Sequence, residues 1–380
     1  GGKKILYYRN FAKKIIIFLI FTTTISLFGC KKNKEDTKVT NDFDIKIATN
    51  LFNSYMESLI EENMEGAQKL YSKKLKKDKI KKENKDVKIK GYTTEEINEV
   101  GKSALFIAKV VSVNVKEPYT SVEEYKIRVI KEENEYKIDE VNISMDKEAF
   151  TKNNRIRYRN KNNVKTELII KPSTLPDYSY AKDDKANIEK LTVPKKNIGP
   201  MSLSYSENFI AISTYDKNSY IGIITIDESK AVQGGQDQGD QGGQGEQGGA
   251  GGGETRQEAT DIMEEIGEKP IGKEISSLDL LKGSKIDFMV FSPDEKFIAV
   301  QYETSDKTKN TRIYQADSAE IIPFKMEDKF PLNKVNVTLS SFATDSIIFN
   351  VSSKEKNDKN LTEFIGKWQL DLKEFKVKKM

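Results

Sequence analysis

Three Ser-x-x-Lys pairs offer the most direct route to covalent chemistry in this sequence, because a lysine amine at that spacing can serve as the base for a serine nucleophile. The pairs are Ser144/Lys147, Ser179/Lys182 and Ser353/Lys356. Enzymes that use such a pair also carry Ser-Asp-Asn and Lys-Thr-Gly boxes, and neither occurs here. Lysine is common throughout the chain, so we interpret the three pairs as solvated surface residues.

The tripeptide Gly101-Lys102-Ser103 matches the end of a phosphate-binding loop. That loop also needs a glycine five positions before Gly101, where the sequence has Glu96, and it must lead into a helix. The residues after Ser103 are rich in apolar and β-branched types, which predict a strand. We therefore exclude a phosphate loop.

Histidine is absent from the 380 residues, and Cys30 is the single cysteine. Histidine-dependent triads and zinc sites with histidine ligands are therefore excluded. No acidic residues have the spacing of a metal site. Acid–base chemistry by paired carboxylates stays open in principle. No spacing indicates such a pair, so we expect a protein without catalytic residues, metal or cofactor.

The first 30 residues have the layout of an export signal. Basic side chains within residues 3–14 precede an apolar run over residues 15–28, which is too short to span a bilayer as a helix. The run ends in Leu27-Phe28-Gly29-Cys30, and this order resembles the cleavage box of bacterial lipoprotein signals. The resemblance implies cleavage before Cys30 and lipid attachment to that residue, on the extracytoplasmic face of the membrane. An uncleaved signal anchor and a plain secretory signal are the alternatives.

The charge balance excludes one class of partner. Residues 1–29 contain five basic and no acidic side chains, and subtracting these five from the 63 basic side chains of the chain leaves 58 against 59 acidic ones. Such a balance is not typical of nucleic-acid-binding proteins. We expect contact with the membrane through lipid on Cys30, an envelope protein or polymer as a further partner, and no nucleic acid.

Helix patterns come first in the exported part, and strand patterns follow. After a charged tether over residues 30–42, apolar residues at helical spacing predict a helix that begins with Asp42 as its N-cap and ends before Asn63, and a second short helix follows. Strands are predicted over residues 87–92, 103–115, 122–130 and 136–143. This element order resembles the nuclear-transport-factor-like, or ketosteroid-isomerase-like, fold, which implies an α+β cone-like N-terminal domain over residues 43–147.

The second half predicts repeated strand–turn–strand units over residues 203–212, 289–300 and 339–349, each followed by a further strand. The segment from Phe291 to Val300, which contains Ser292-Pro293-Asp294-Glu295, resembles the repeat of TolB-type β-propellers, with Glu295 where glycine is usual. The resemblance implies an all-β propeller-like C-terminal domain. Closure into a ring would need a fourth blade, for which we expect residues 156–170 and the region up to Val193.

The domain boundaries follow from composition. Residues 148–164 are basic and amide-rich and predict a linker, so the C-terminal domain covers residues 165–380. Residues 233–253 contain eleven glycines and six glutamines and predict a disordered, low-complexity insertion in that domain.

A lysine-rich stretch is the one candidate surface for recognition. Residues 69–90 contain eleven lysines and three acidic residues. Next to a membrane, such a stretch predicts contact with an anionic surface. The candidate residues are Lys73, Lys74, Lys76, Lys77, Lys81 and Lys82.

These observations predict a lipid-anchored extracytoplasmic lipoprotein with a binding or scaffolding role at the cell envelope. Two alternatives stay open. One is a carboxylate-dependent hydrolase of envelope glycan or peptide, and the other is a small-ligand sensor that uses a cavity in the cone-like domain.

Overall fold

A computed structural model describes residues 43–77, 85–161, 163–182, 189–229, 268–343, 345–355 and 359–380. These residues form mostly β-strands, with α1 (Ile45–Ile60), α2 (Met64–Lys69) and α3 (Met326–Lys329) as the α-helices that they contain. Asp44, and not the predicted Asp42, caps α1, because its carboxylate accepts hydrogen bonds from the amides of Lys46 and Ile47.

The first sheet has six antiparallel strands that follow one another in chain order. They are β1 (Val87–Val100), β2 (Ser103–Asn114), β3 (Tyr119–Glu132), β4 (Glu135–Lys152), β5 (Arg155–Asn160) and β6 (Glu167–Ile170). Two helices followed by an antiparallel sheet are therefore confirmed, while a cone-like wrap of this sheet stays a prediction. The β1–β2 turn at Gly101, which has a φ of 62°, confirms that the tripeptide there belongs to a hairpin.

Helix α1 packs on one face of the first sheet. Phe52 is fully buried and stacks on Phe106 of β2, with ring centroids 4.6 Å apart and planes inclined by 7°. Tyr92 of β1 meets Phe52 edge to face at 5.8 Å. Tyr55 and Met56 are also buried in this layer. These side chains form an apolar layer between helix and sheet, and a small-ligand site in this part of the chain stays a prediction.

Three further antiparallel sheets make up most of the rest of the described chain. Their strands are β9 (Asn197–Leu203), β10 (Phe209–Tyr215), β11 (Ser219–Ile226) and β12 (Gly272–Leu281) in the first; β13 (Ser284–Phe291), β14 (Phe297–Thr304) and β15 (Lys309–Gln315) in the second; and β16 (Val335–Ala343), β17 (Ser346–Ser353), β18 (Gly366–Asp371) and β19 (Val377–Lys379) in the third. Each contains one predicted strand–turn–strand unit, so the β-rich repeats are confirmed. We call them blade-like sheets A, B and C.

The predicted linker and fourth blade are both wrong. Residues 148–164 lie largely in β4 and β5, whose register pairs Ala149 with Tyr158. Pairing with the sheet overrides the polar composition that predicted a linker. Arg159 of β5 is exposed, whereas Arg157 is buried and forms an ion pair with Glu268. Residues 156–170 complete the first sheet, and the stretch towards Val193 forms only the short pair β7 (Tyr178–Tyr180) and β8 (Lys190–Thr192).

The core joins the sheets to one another. Val111 and Val122 of the first sheet belong to the same apolar cluster as Leu203 and Ile210 of sheet A and Phe291 of sheet B. A second cluster lies largely in sheet C, where Phe330 packs edge to face on Trp368 at 5.1 Å. Asp44–Met380 forms one compact unit, so the predicted boundary at residues 148–164 does not separate two bodies.

Candidate functional site

Two neighbouring turns have the same geometry. One joins β9 to β10 in sheet A, and the other joins β13 to β14 in sheet B. In sheet A, the amide of Phe209 donates to Ser204 Oγ at 3.2 Å, and Ser204 N donates to the Phe209 carbonyl at 2.9 Å. In sheet B, Phe297 and Ser292 make the same two bonds at 3.0 and 2.8 Å. The two segments are therefore structural repeats, although the first lacks the proline of the second.

A glutamate occupies the same strained position in both turns. Glu207 has a φ of 64° and Glu295 has a φ of 58°. The left-handed region costs a residue with a Cβ atom about 1–2 kcal/mol, and glycine avoids that cost. Strain of this kind persists where the side chain has a use, so the contacts of the two glutamates are informative.

Both glutamates join the turn that carries them to a neighbouring sheet. The Glu295 carboxylate accepts hydrogen bonds from the amide of Ser206 and from Ser206 Oγ, the latter at 2.7 Å. Glu207 Oε1 lies 2.8 Å from Lys109 Nζ of β2, and Glu207 Oε2 lies 2.8 Å from Lys147 Nζ of β4. Sheet B is thus connected to sheet A, and sheet A to the first sheet, by a continuous series of polar contacts. We call these residues the glutamate junction.

Close packing between Tyr205 and Gly91 also joins sheet A to the first sheet, beside the glutamate junction. Tyr205 lies beside Glu207 in the turn, and its ring approaches Gly91 of β1 so closely that a Cβ atom there would stand 2.1 Å from the tyrosine oxygen. Only glycine fits this contact. Leu203 N also donates to Thr120 Oγ1 of β3 at 3.2 Å.

Charges in the glutamate junction shift one another's protonation. Burial opposes the charge on Lys147, but hydrogen bonds to Glu207 and Glu228 outweigh burial and raise its pKa. Burial likewise works against the charged form of Glu228, and the hydrogen bond and charge of Lys147 overcome it and lower the Glu228 pKa. Asp146 differs, because burial and the nearby Glu207 raise its pKa. The cluster is stabilised as ion pairs at neutral pH.

A second buried charge cluster lies between sheets A and B. Asp279 of β12 is almost fully buried, and its carboxylate accepts bonds from Arg312 Nη1 at 2.9 Å and Tyr314 Oη at 2.5 Å. The amides of Lys182 and Leu280 donate to its other oxygen at 2.8 and 2.7 Å. Burial raises the pKa of Tyr314, and the Asp279 charge adds to that shift. Because both carboxylate oxygens are occupied, this arrangement is suited to holding the sheets together.

A small cleft adjoins that cluster. It has a volume of about 20 Å³ and lies between β15 and the segment that follows that strand. Its walls come from residues 311–313 and 324–327 together with Ile321. A volume of this size holds about one water molecule and is far below that of small-molecule sites.

The outer half of β1 is an open strand edge. Residues 94–100 are all exposed, including Ile97 at 44% and Val100 at 70%. Among the described residues, β2 is the one strand that pairs with this segment, because β1 is the first strand of its sheet. Glu95, Glu96 and Glu99 lie along it. An open edge presents backbone donors and acceptors to a further chain.

The structure places four of the six candidate lysines within its described range. Lys73 Nζ lies 2.7 Å from Glu133 Oε1, and Lys74 Nζ lies 3.6 Å from Asp139 Oδ2. Lys76 is exposed, and Lys77 ends the short 3₁₀ helix Leu75–Lys77. The ion pairs of Lys73 and Lys74 reduce the positive field expected of this stretch. Lys81 and Lys82 lie outside the described residues.

Several other predictions also fall outside the described residues. They concern the export signal with Leu27, Phe28, Gly29 and Cys30, the tether over residues 30–42, and the insertion over residues 233–253. The interpretation of the Ser-x-x-Lys pairs as solvated surface residues is wrong for Lys147, which is largely buried and pairs with Glu207, and for Ser179, which is buried in β7. Lys182 forms an ion pair with the exposed Glu320.

The described part of the chain contains neither a metal-binding cluster of side chains nor a membrane-spanning helix. No three Asp, Glu, His or Cys side chains there are grouped so that they could hold a metal ion. No helix there has the length and apolar character needed to cross a membrane.

No protein-family model and no curated protein matches the chain. Among solved structures, it is similar to TolB from Acinetobacter baumannii, with 10% identity, a TM-score of 0.23, and coverage of 64% of this chain and 49% of that chain. It is also similar to a prolyl endopeptidase, with 7% identity, a TM-score of 0.29, and coverage of 88% and 38%. A puromycin-hydrolyzing peptidase of Mycobacterium tuberculosis has 6% identity, a TM-score of 0.20, and coverage of 76% and 52%.

The chain spans about half, or less, of the length of these three structures. TM-scores in this range do not establish a shared fold. Sheets A, B and C are defined by their own strand order and register.

Sequence reasoning missed the glutamate junction and the open edge. Strand β1 was expected to end at residue 92, because Glu and Asn are poor strand formers. The available signal was the turn pair Gly101-Lys102, which directly precedes the predicted strand β2. A tight turn at this place indicates a hairpin, so a second strand is expected directly before Gly101. For the glutamate junction, the signal was a glutamate at the glycine position of Ser292-Pro293-Asp294-Glu295.

Proposed function

We propose that this protein is a lipid-anchored, non-catalytic binding protein on the extracytoplasmic face of a bacterial cell membrane. Lipid on Cys30 attaches it to the membrane, and an envelope protein or polymer is its partner. The proposal includes no cofactor, metal or nucleic acid. The support for the location is the sequence of residues 1–30, with its basic start, short apolar run and Leu27-Phe28-Gly29-Cys30 box.

The open edge of β1 is the observation that carries the binding role. The charge clusters of Glu207 and Asp279 use their side chains to hold sheets together, as shown by their ion pairs. Residues 94–100, in contrast, expose side chains and one side of the backbone. Strand edges bind extended segments through main-chain hydrogen bonds, and neighbouring side chains select the partner.

Anchoring is tested with Cys30→Ala. The full chain and this variant are expressed in a bacterial host with a labelled fatty acid, and membrane and soluble fractions are compared. The parent protein should carry the label and sediment with membranes, whereas the variant should lose the label and leave the mature membrane pool. Thr23→Ala, in the same apolar run, is the control and should behave as the parent. Equal labelling of Cys30→Ala would contradict the anchor.

The non-catalytic role is tested separately with envelope glycan, peptide and ester substrates. The purified full chain in non-ionic detergent should show no turnover above that of a heat-denatured sample. Activity that copurifies with the protein, and that disappears on substitution of one carboxylate, would replace the binding role by the hydrolase alternative.

A further inference from the structure

The chain covers or shortens several of its other sheet edges, whereas the described residues leave the outer part of β1 open. At the far edge of the first sheet, Leu168 of β6 is met by the amide of Ile271 at 2.9 Å and by Glu268 Oε1 at 3.1 Å. The edge strand β15 is met by the segment after it, where Ile322 N donates to the Ile313 carbonyl at 3.1 Å. Strand β19 has three residues. Coverage of this kind is how proteins protect edges.

The exposed part of β1 is regular enough to receive another strand. Register shifts occur between Ile89 and Gly91 and between Thr94 and Glu96, after which five consecutive residues, 96–100, pair with β2 without interruption. Five residues are a typical strand length. A bulge thus twists the start of the exposed segment, and the remainder keeps the straight geometry that strand addition needs.

Each face of this edge combines apolar and acidic side chains. Ile97 pairs with Phe106 and so shares the face that α1 covers, at the rim of the apolar layer. Glu96 and Asn98 lie on the opposite face, where Asn98 Nδ2 donates to Glu96 Oε2 at 3.2 Å. Because side chains alternate along a strand, Glu99 shares the face of Ile97, and Val100 shares the face of Glu96. An added strand would therefore meet one apolar and one acidic side chain on each face, with an apolar residue of its own beside Ile97 and a basic residue beside Glu96.

The acidic side chains of this edge disfavour pairing with a second copy of the chain and favour pairing with a basic segment. Glu95, Glu96 and Glu99 would repel the same three residues of a second copy, because like charges on neighbouring strands are destabilising. An extended segment with basic side chains instead gains from each cross-strand pair. Repulsion of the wrong partner together with attraction of the right one is a common source of specificity.

We propose that residues 94–100 of β1 bind an extended, basic segment of a partner protein by strand addition, with apolar residues of that segment beside Ile97 and lysine or arginine beside Glu96 and Glu99. The inference rests on the proposed binding function and names its partner class. Main-chain hydrogen bonds supply affinity, and the side chains of the edge supply selectivity.

The test uses the full chain in non-ionic detergent and the eight-residue peptide Val-Val-Lys-Val-Val-Lys-Val-Val with blocked termini, whose lysines have the same three-residue spacing as Glu96 and Glu99. Binding is measured by fluorescence anisotropy, and hydrogen exchange of the protein is measured with and without peptide. We expect saturable binding and slower exchange at amides of residues 94–100, because outward-pointing N–H groups gain partners. Slower exchange elsewhere with no change at this segment would overturn the proposal.

Strand addition is separated from simple charge attraction with two N-methylated forms of the peptide. One carries methyl groups on the odd-numbered amides and the other on the even-numbered amides, so charge and side chains are unchanged. An added strand donates from alternate residues only, so one form should lose binding and the other should keep it. Equal binding of both forms would overturn the proposal.

The selectivity is tested by charge reversal with a matched control. Glu96→Lys with Glu99→Lys should weaken binding of the lysine peptide about tenfold, since two attractive cross-strand pairs become repulsive. Glu274→Lys with Glu363→Lys changes the net charge equally at two exposed sites away from this edge and should bind as the parent. If both variants weaken binding equally, the site is overturned. Peptide binding and hydrogen exchange do not depend on Cys30. Failure of peptide binding at residues 94–100 is therefore distinguishable from failure of lipid attachment.

Discussion

Glu207 and Glu295 show how one residue type can close a turn and also connect two sheets. Glycine would relieve the backbone at both positions, where φ is 64° and 58°. It would also remove the carboxylates that bind Lys109, Lys147 and Ser206. The contacts therefore offset backbone strain that glycine would avoid.

Substitution of Glu295 separates these two effects. Glu295→Ala keeps the strained φ and loses the bonds to Ser206, so we expect unfolding free energy to fall by about 1–2 kcal/mol. Glu295→Gly loses the same bonds but relieves about 1 kcal/mol of strain, which should leave stability near that of the parent. Chemical denaturation of both variants checks this order.

A turn with an exposed glutamate at similar φ is the control for that comparison. Glu133 has a φ of 58° and makes an exposed ion pair with Lys73. Glu133→Gly should raise the melting temperature, because relief of strain outweighs the loss of an exposed pair. A stability order with Glu295→Ala above Glu295→Gly would contradict the role assigned to strain.

Lys147 gives the glutamate junction a defined pH dependence. Glu228 has a lowered pKa, so its contribution is fully present above its ordinary value of 4.5 and is lost as pH falls through the folded value. The pKa of Lys147 is raised, so its contribution is fully present below 10.5 and is lost as pH rises through the folded value. Lys147→Met should therefore lower the melting temperature most between about pH 5 and about pH 10.

Thermal melts of Lys147→Met and the parent across pH measure this difference. The raised pKa of Asp146 works in the opposite sense, since its contribution is present at low pH and is lost as pH rises through its folded value. Asp146 is retained in both proteins. Lys376→Met removes an exposed ion pair with Glu374, away from the cluster, and is the control. A constant difference at all pH values would show that Lys147 acts through packing alone.

At the scale of the element, α1 depends on its buried face. Phe52→Ala should lower the free energy of unfolding by about 3–5 kcal/mol, because a buried ring that stacks on Phe106 is removed. Ile47→Ala, on the same helix but 49% exposed, should change it by less than about 0.5 kcal/mol. Denaturant melts compare the two variants, and similar losses would indicate that α1 packs on another face.

The predicted elements succeed where hydrophobic spacing is strong and fail where charge dominates. Helix α1 and strands β2, β3 and β4 follow from their apolar periodicity, and sheets A, B and C follow from their repeated turns. The charged end of β1 was missed because single-residue preferences oppose a strand there, and pairing with β2 overrides them. The linker over residues 148–164 was wrong for the same reason.

Sites made from distant residues had no comparable signal. Glu207 meets Lys109 across a separation of 98 residues, and Asp279 meets Tyr314 across 35. No spacing rule relates such pairs, because the sheets that bring them together must be known first. The open edge is similar, since an edge is a property of strand order and not of one segment.

At the scale of the whole molecule, sheet A should tolerate removal of the glycine- and glutamine-rich segment. Strands β11 and β12 flank that segment and pair with each other, with Asp227 N donating to the Ile271 carbonyl at 2.9 Å. Deletion of residues 233–253 should change the stability by only about 1 kcal/mol, equivalent to a few degrees in melting temperature. A flexible replacement of equal length is the control. Loss of a cooperative transition in the deletion alone would contradict this expectation.

The contact between Glu61 and Lys367 has a consequence for the order of folding during synthesis. These side chains lie 2.8 Å apart although 306 residues separate them, and α1 also contacts β16. The first sheet pairs each strand with its neighbour in sequence, so its hairpins can form as the chain emerges. The end of α1, in contrast, gains its partner only when sheet C is complete. The interval between completion of β6 and arrival of Lys367 is therefore the stage at which the growing chain is most open to proteases and most in need of chaperones that shield exposed apolar surface.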